Sequence, residues 1–413
     1  MSYGGAKTFA AAFRSVGIIA HECPEADTRA MELGSRVTSG DECYPEMVTL
    51  GTFLRLAEQP GFDRSRNAFF MPTAGGPCRF GQYSPFVRKV LQDVGLDEIQ
   101  IFSPTSKDGY KDIGGSAGEL MRTAWRALVV SDMLRKCLHK TRPYERTAGD
   151  ADQAHEDSLN DVCAVLERPG LKPKAKLDAL AESMTRCRDR FRAVPADYSE
   201  PRPLVGVVGE IFCRLNTFSN EDLIRRIEAQ GGEGWLSDIT EWVWYTNFET
   251  FKRIRAAGKQ VSLSMLGAVV KNKIQRRDEH ALVGMLHDDL VGYEEPADIS
   301  TVLDHAMPYL PHYGALGEMV LSVGKAIYLY HQGADGIVDI SPFTCMNGIT
   351  CEAVYPRVSA EHDNIPIKNF YFDGTQKDLD TAVGIFLELA RTYRRRKQPV
   401  RRLPAYFPAG ARA

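Results

Sequence analysis

The sequence predicts an α/β protein with parallel strands, and three observations lead there. Short apolar runs, Ala68 to Met71, Ile99 to Phe102, Leu204 to Val208, Gly336 to Ile340 and Ile367 to Phe372, alternate with longer segments of helical period. The first two runs bracket a loop and a helix, which is a βαβ order with an expected right-handed crossover. The composition, 44% hydrophobic and 25% charged, is that of a soluble globular chain.

In order, Thr8 to Val16 has the small and apolar spacing of a helix and leads into an expected short strand, Gly17 to Ala20. A helix-like connector reaches Cys43. Leu50, Phe53, Leu54 and Ala57 recur at helical spacing, so Pro45 to Gln59 is predicted helical. After the Ala68 to Met71 strand comes a cysteine turn. Ser84 and Pro85 then supply an N-cap and first helical position, and Gly95 closes that helix. From Gly114 to about Val194 long charged and apolar segments, such as Glu119 to Lys140 and Asp152 to Arg168, predict a helical insert. Pro195 to Pro203 reads as a linker. Leu204 restarts the α/β pattern, with Ser219 or Asn220 capping a helix that runs to Gln230 before Gly231-Gly232. The segment around Trp242 and Trp244 fits strand or helix. Lys259 to His287 and Glu318 to His331 are predicted helical, and Asp378 to Arg394 a terminal helix. The organisation expected is a first α/β lobe over 1–114, a helical insert and linker over 115–200, and a second α/β lobe over 201–413.

At 413 residues the chain is long enough for two or three domains, and its net charge of -3 argues against a general nucleic-acid binder. No apolar run approaches the roughly 20 residues that span a bilayer, and Met1 to Lys7 lacks the features of a secretory signal. A cytoplasmic protein with neither membrane nor nucleic acid as partner is expected. The nine cysteines are odd in number and scattered, without a C-x-x-C pair. That disfavours both a disulfide framework and a zinc finger.

Three of those cysteines sit among turn-forming residues: Cys43 in Asp41 to Pro45, Cys78 in the run Phe69 to Tyr83, and Cys345 in Ser341 to Gly348. Cys78 and Cys345 each follow a predicted strand, where open α/β sheets place ligands. Thiolates hold iron-sulfur clusters, and the glycines beside Cys78 leave backbone N–H groups free to face a cluster. By pattern alone the same residues also read as buried core thiols.

Other features carry two readings. Gly206 and Gly209 resemble a fragment of a nucleotide-binding turn, against the simpler tight strand-to-helix connection. Glu210 fits an acid/base group or a cap. His312 and Tyr313 fit a substrate contact or a structural pair. Arg142 to Glu145 reads as a helix stop with an ion pair bracing the insert. Arg394 to Lys397, with Arg401 and Arg402, reads as a solvated complement to a helix dipole, or as a docking patch for an acidic ferredoxin or CoA phosphates.

Glu42-Cys43-Tyr44-Pro45 with Thr49 to Thr52, the run Phe70 to Tyr83, Gly209 to Phe212 with Asn216 to Asn220, Gly317-Glu318, and Pro342 to Gly348 together resemble the 2-hydroxyacyl-CoA dehydratase family, in its activase-related branch. The resemblance implies two flavodoxin-like lobes flanking an iron-sulfur cluster held by Cys43, Cys78 and Cys345. It implies a [4Fe–4S] cluster with one open iron, or a double-cubane [8Fe–9S] cluster needing further sulfur ligands, for which Cys23, Cys213 and Cys351 are the candidates. It further implies a low-potential electron acceptor, served by a separate ATP-hydrolysing activator with ferredoxin or flavodoxin upstream, since the chain shows no P-loop and no segment for the ATPase. Expected activities are lyase or oxidoreductase chemistry: dehydration of a 2-hydroxyacyl-CoA, or double-cubane reduction of a small molecule. A homodimer or heterodimer is expected in the setting of anaerobic metabolism. The alternative from a different class is a non-catalytic partner or assembly subunit without a cluster.

Overall fold

A computed structural model describes residues 2–73, 76, 78–104, 115–315, 317–375 and 378–408. Ala74, Gly75 and Pro77 of the cysteine turn, and Gly114 at the expected start of the insert, lie outside them. The protein is a mixed α/β structure with two parallel sheets.

The amino-terminal part begins with helix α1 (Tyr3–Arg14), which Ser2 caps by accepting the Gly5 N–H. Helices α2 (Thr28–Val37) and α3 (Tyr44–Ala57) follow. They cross closely because Gly51 faces the Ala30 carbonyl, where any Cβ would lie 1.7 Å from the oxygen. Strand β1 (Ala68–Phe70), helix α4 (Tyr83–Asp93) and strand β2 (Gln100–Phe102) form the predicted βαβ unit, with Phe69 opposite Ile101. Its sheet has only these two strands among the described residues. The expected strand at Gly17 to Ala20 is absent. Ile18 and Ile19 have β propensity but no neighbouring strand to pair with, and Ile19 is 87% exposed.

Three long helices, α5 (Ala117–Thr141), α6 (Asp150–Leu166) and α7 (Pro173–Arg192), occupy the predicted helical insert. They share a continuous apolar core with α1 and with one face of the second sheet, through residues such as Leu134, Leu159, Leu180 and Trp235. The Arg142 turn does brace this region, but through Glu228 at 2.6 Å and Asp152 at 3.0 Å. Glu145 instead accepts the Gly149 and Ala151 N–H groups at the start of α6.

The second sheet contains β3 (Leu204–Gly209), β4 (Glu233–Leu236), β5 (Gly336–Pro342) and β6 (Ile367–Phe372), all parallel in the order β4-β3-β5-β6. Strands β3 and β5 are buried throughout, as parallel strands covered on both faces must be. Between β3 and β4 lie α8 (Ile211–Leu215) and α9 (Leu223–Ala229); the N-cap of α9 is Asp222 rather than the expected Ser219 or Asn220, although Asn220 accepts the Leu223 N–H from the turn before it. The ambiguous tryptophan segment is helix α10 (Ile239–Ala256), followed by α11 (Leu263–Val283), α12 (Ser300–Ala306) and α13 (Glu318–His331). Trp244 packs edge-on against Trp125 of α5, which favours the helix. Helices α14 (Met346–Glu361) and α15 (Leu379–Arg394) complete the fold. No described helix is long and apolar enough to cross a membrane.

The carboxy-terminal basic segment is less solvated than expected. Arg401 is buried against Glu233 at 2.8 Å, and Lys397 pairs with buried Asp335 at 2.7 Å. Two of its cations are thus committed within the fold.

Candidate functional site: three capping cysteines on one cavity

In a parallel sheet of order β4-β3-β5-β6 the chain leaves β3 toward β4 on one side and reaches β5 and β6 on the other. The crevice beyond the carboxyl ends of β3 and β5 is therefore the switch point where such sheets accept ligands. Gly209 and Glu210 stand at the end of β3, and Cys345 three residues past β5. The backbone permits this because Gly209 adopts φ 114° and lies so close to Ile340 that a Cβ would stand 2.1 Å from its carbonyl oxygen. The tight strand-to-helix reading of Gly206 and Gly209 accounts for this geometry.

A cavity of about 2440 Å³ opens from this crevice toward the first sheet. Cys43, Cys78 and Cys345 all line it. Each also occupies the N-cap position of a helical turn in extended conformation: Cys43 before α3, Cys78 before a single 3₁₀ turn at Arg79–Gln82, and Cys345 before α14. Sulfur at an N-cap faces N–H groups that lack intrahelical partners. The N–H groups of Glu46 near Cys43, of Phe80 near Cys78, and of Gly348 and Asn347 near Cys345 favour the thiolate, although none of the three sulfurs accepts a capping hydrogen bond. Cys43 is buried, Cys345 half-buried and Cys78 exposed. The Cys43 Sγ and the Tyr83 hydroxyl share a hydrogen bond at 2.5 Å.

One guanidinium ties the three turns together. Arg79, next to Cys78, donates to the Asp41 carbonyl at 2.7 Å, two residues before Cys43. It also donates to the Thr344 hydroxyl at 3.2 Å and carbonyl at 3.4 Å, one residue before Cys345. Thr344 has φ 64°, a left-handed conformation that a β-branched residue adopts only when its surroundings hold it there. Arg79 is the residue of this candidate site that sequence reasoning did not single out.

Among the carboxyl groups that line the cavity, Glu210 and Glu318 lie nearest the ends of β3 and β5. Glu210 caps α8 by accepting the Phe212 and Cys213 N–H groups at 2.9 and 2.8 Å, the role its capping reading assigned. Glu318, at the start of α13, accepts the Ile211 N–H at 2.8 Å and the Asn347 amide at 3.4 Å. Burial raises Glu210, and burial followed by the neighbouring Glu210 charge pushes Glu318 up to about 8. Of the pair, Glu318 is the one whose surroundings favour the protonated form, while Glu210 is the better solvated by N–H donors. Burial also pushes Cys43 up to about 11 and Cys345 up to about 12, and raises Cys78. Behind Cys43, buried Glu46 has no hydrogen-bond partner on either oxygen, and burial pushes it up to about 7.

The remaining candidates separate. Cys23 lines the cavity, whereas Cys213 and Cys351 are buried and do not. Cys351 donates to the Met319 carbonyl as a core thiol of α14. The His312 and Tyr313 rings lie tilted against each other at 4.5 Å, with His312 also edge-on to Phe248, and neither borders the cavity. That is the structural pair.

Among the described residues no three His, Cys, Asp or Glu side chains converge tightly enough to hold a single metal ion. A cluster asks for something else: separate thiolates, each for its own iron, facing one space and supplied with N–H donors. Cys43, Cys78 and Cys345 meet one part of that requirement, since all three face the same cavity from N-cap positions. No family model, curated protein or solved structure matches this chain.

Proposed function

We propose that Cys43, Cys78 and Cys345 hold an iron-sulfur cluster at the wall of this cavity, between two flavodoxin-like lobes, in a protein of the 2-hydroxyacyl-CoA dehydratase type. The observation that carries the reading is that three cysteines at helix N-cap positions line one cavity, with Arg79 linking their turns. A bound cluster would supply low-potential one-electron chemistry, received from a separate ATP-hydrolysing activator, for dehydration of a substrate such as a 2-hydroxyacyl-CoA.

The chain's own residues have definable parts in this. The helix N-termini favour sulfur in its anionic form. Because the thiols are raised, each must release its proton to become a ligand, so cluster loading improves as pH rises. Glu318 holds a proton on the cavity wall and can donate it to a departing hydroxyl, while Glu210 remains an acceptor. Apolar walls, including Phe70 and Phe102, limit water. Cys23 on the same cavity favours a second reading, a double-cubane reductase of a small molecule.

The test is iron and sulfide quantitation, with an absorption spectrum, on anaerobically reconstituted protein beside Cys78→Ala. About four irons per chain, lost in the variant, supports the dehydratase-like acceptor, and about twice that supports the double cubane. Wild type that takes up no iron and sulfide refutes both and leaves a non-catalytic partner.

A further inference from the structure

Helices α10 and α11 form an antiparallel hairpin, as contacts from Trp244 to Glu279 and from Asn247 to Gln275 show. Its base is anchored: Asp278 takes Arg122 and Arg126 of α5, and Trp125 donates to the Gln275 carbonyl. Its tip is not. No residue from 256 to 274 is buried. Yet the tip is apolar, with Val261 102%, Leu263 88% and Leu266 59% exposed, and Val269 and Val270 exposed behind them.

Charge distinguishes this surface from an ordinary protein interface. Residues 250–277 carry eight Lys or Arg and no Asp or Glu, in a chain whose net charge is -3. Arg255, Lys259 and Lys273 are exposed and form no ion pair among the described residues. Three of the eight are paired, Lys252 with Glu249, Arg276 with Asp298 and Arg277 with Asp278, and the unpaired cations left around the tip oppose pairing with a second copy of the same hairpin. A projecting apolar tip collared by cations matches the interfacial zone of an anionic bilayer, where apolar side chains enter among the acyl ends and cations meet lipid phosphates. No membrane-spanning run is needed for such a contact.

We infer that the α10–α11 hairpin docks the protein peripherally on an anionic lipid surface, with Val261, Leu263 and Leu266 inserted and Arg255, Lys259 and Lys273 pairing with headgroup phosphates. The hairpin also walls the cavity, through Ser264, Gly267 and Lys271, so docking brings that wall of the cavity near the lipid.

The full chain is sedimented with vesicles of phosphatidylcholine alone or with about 30 mol% phosphatidylglycerol, at about 0.1 M and about 0.5 M NaCl. Binding is expected only with the anionic vesicles and to weaken in high salt. L263D/L266D is expected to reduce it at least tenfold, and R255E/K259E/K273E to abolish its salt dependence. These residues are exposed, and a circular dichroism spectrum matching wild type confirms that the variants fold. No binding to anionic vesicles, or equal binding by L263D/L266D, overturns the inference. So does wild-type mass by light scattering that doubles and falls to monomer in L263D/L266D without vesicle binding, which assigns the tip to a second copy.

Discussion

Removing the Arg79 guanidinium should loosen the candidate site without unfolding the protein. Arg79→Ala deletes a 2.7 Å bond to the Asp41 carbonyl and two longer bonds, 3.2 and 3.4 Å, to Thr344. A hydrogen bond from a charged donor is worth about 1.5–3 kcal/mol at best, but Arg79 is half-buried and two of its bonds are long. About 1–2 kcal/mol of preorganisation is the reasonable sum, and 1–2 kcal/mol corresponds to roughly a 5- to 30-fold change in an equilibrium. The loss falls on the relative placement of three loops, because the bonds join residues 38 and 265 positions apart. Thr344, released from its partner, is then free to leave φ 64° and carry Cys345 with it. The assay is iron release to a chelator after anaerobic reconstitution, alongside a urea titration. Release should quicken by roughly 5- to 30-fold while the urea midpoint moves little. Arg79→Lys keeps the charge but cannot reach two loops with one planar fork, so it should behave closer to Ala than to wild type. Wild-type iron retention in Arg79→Ala, or full rescue by Lys, would refute this role.

Three further outcomes follow from the packing and charges. Gly209→Ala should destabilise the fold by more than the ordinary 1 kcal/mol or so of an alanine replacement, because φ 114° and a Cβ 2.1 Å from the Ile340 carbonyl both oppose it; differential scanning fluorimetry reads the loss. Glu318 has a folded pKa of about 8, above its ordinary 4.5, so the native state binds the extra proton and stability falls as pH rises from about 4.5 toward about 8. In Glu318→Gln that part of the slope should vanish, and a metal-free variant no steeper or shallower than wild type between pH 5 and about 8 would contradict the assignment. Lys325 is fully buried between Glu241, at 3.2 Å, and Glu295. Lys325→Ala strands Glu241 and leaves Glu295 only Lys136 as a cation, so it should cost about 3 kcal/mol in urea unfolding, whereas a loss under about 1 kcal/mol would mean the Lys325–Glu241 pair is not closed in solution.

Parts of this fold were legible because local pattern and tertiary demand agree. Helix α13 runs over the predicted Glu318 to His331, where an apolar sequence is closed by Gly333, and β6 covers Ile367 to Phe372. Strand β4 was not anticipated: Glu233-Gly234-Trp235-Leu236 has no β-branched residue, and it is a strand because it pairs in register with Leu204 to Val207. Gly17 to Ala20 failed in the opposite sense, having β-branched residues and no strand to receive them. The same division runs through the site. Cys43, Cys78 and Cys345 announced themselves by the prolines and glycines around them, and Glu210 caps N–H groups only two and three residues away. Arg79 gave no comparable signal, because it binds mainly backbone carbonyls, which every residue possesses, in loops distant along the chain. Local caps leave a pattern in sequence, while ties between loops appear only once the loops are adjacent. The cysteines are therefore legible one at a time, whereas the hydrogen bonds that join their turns run through a residue that could not be read.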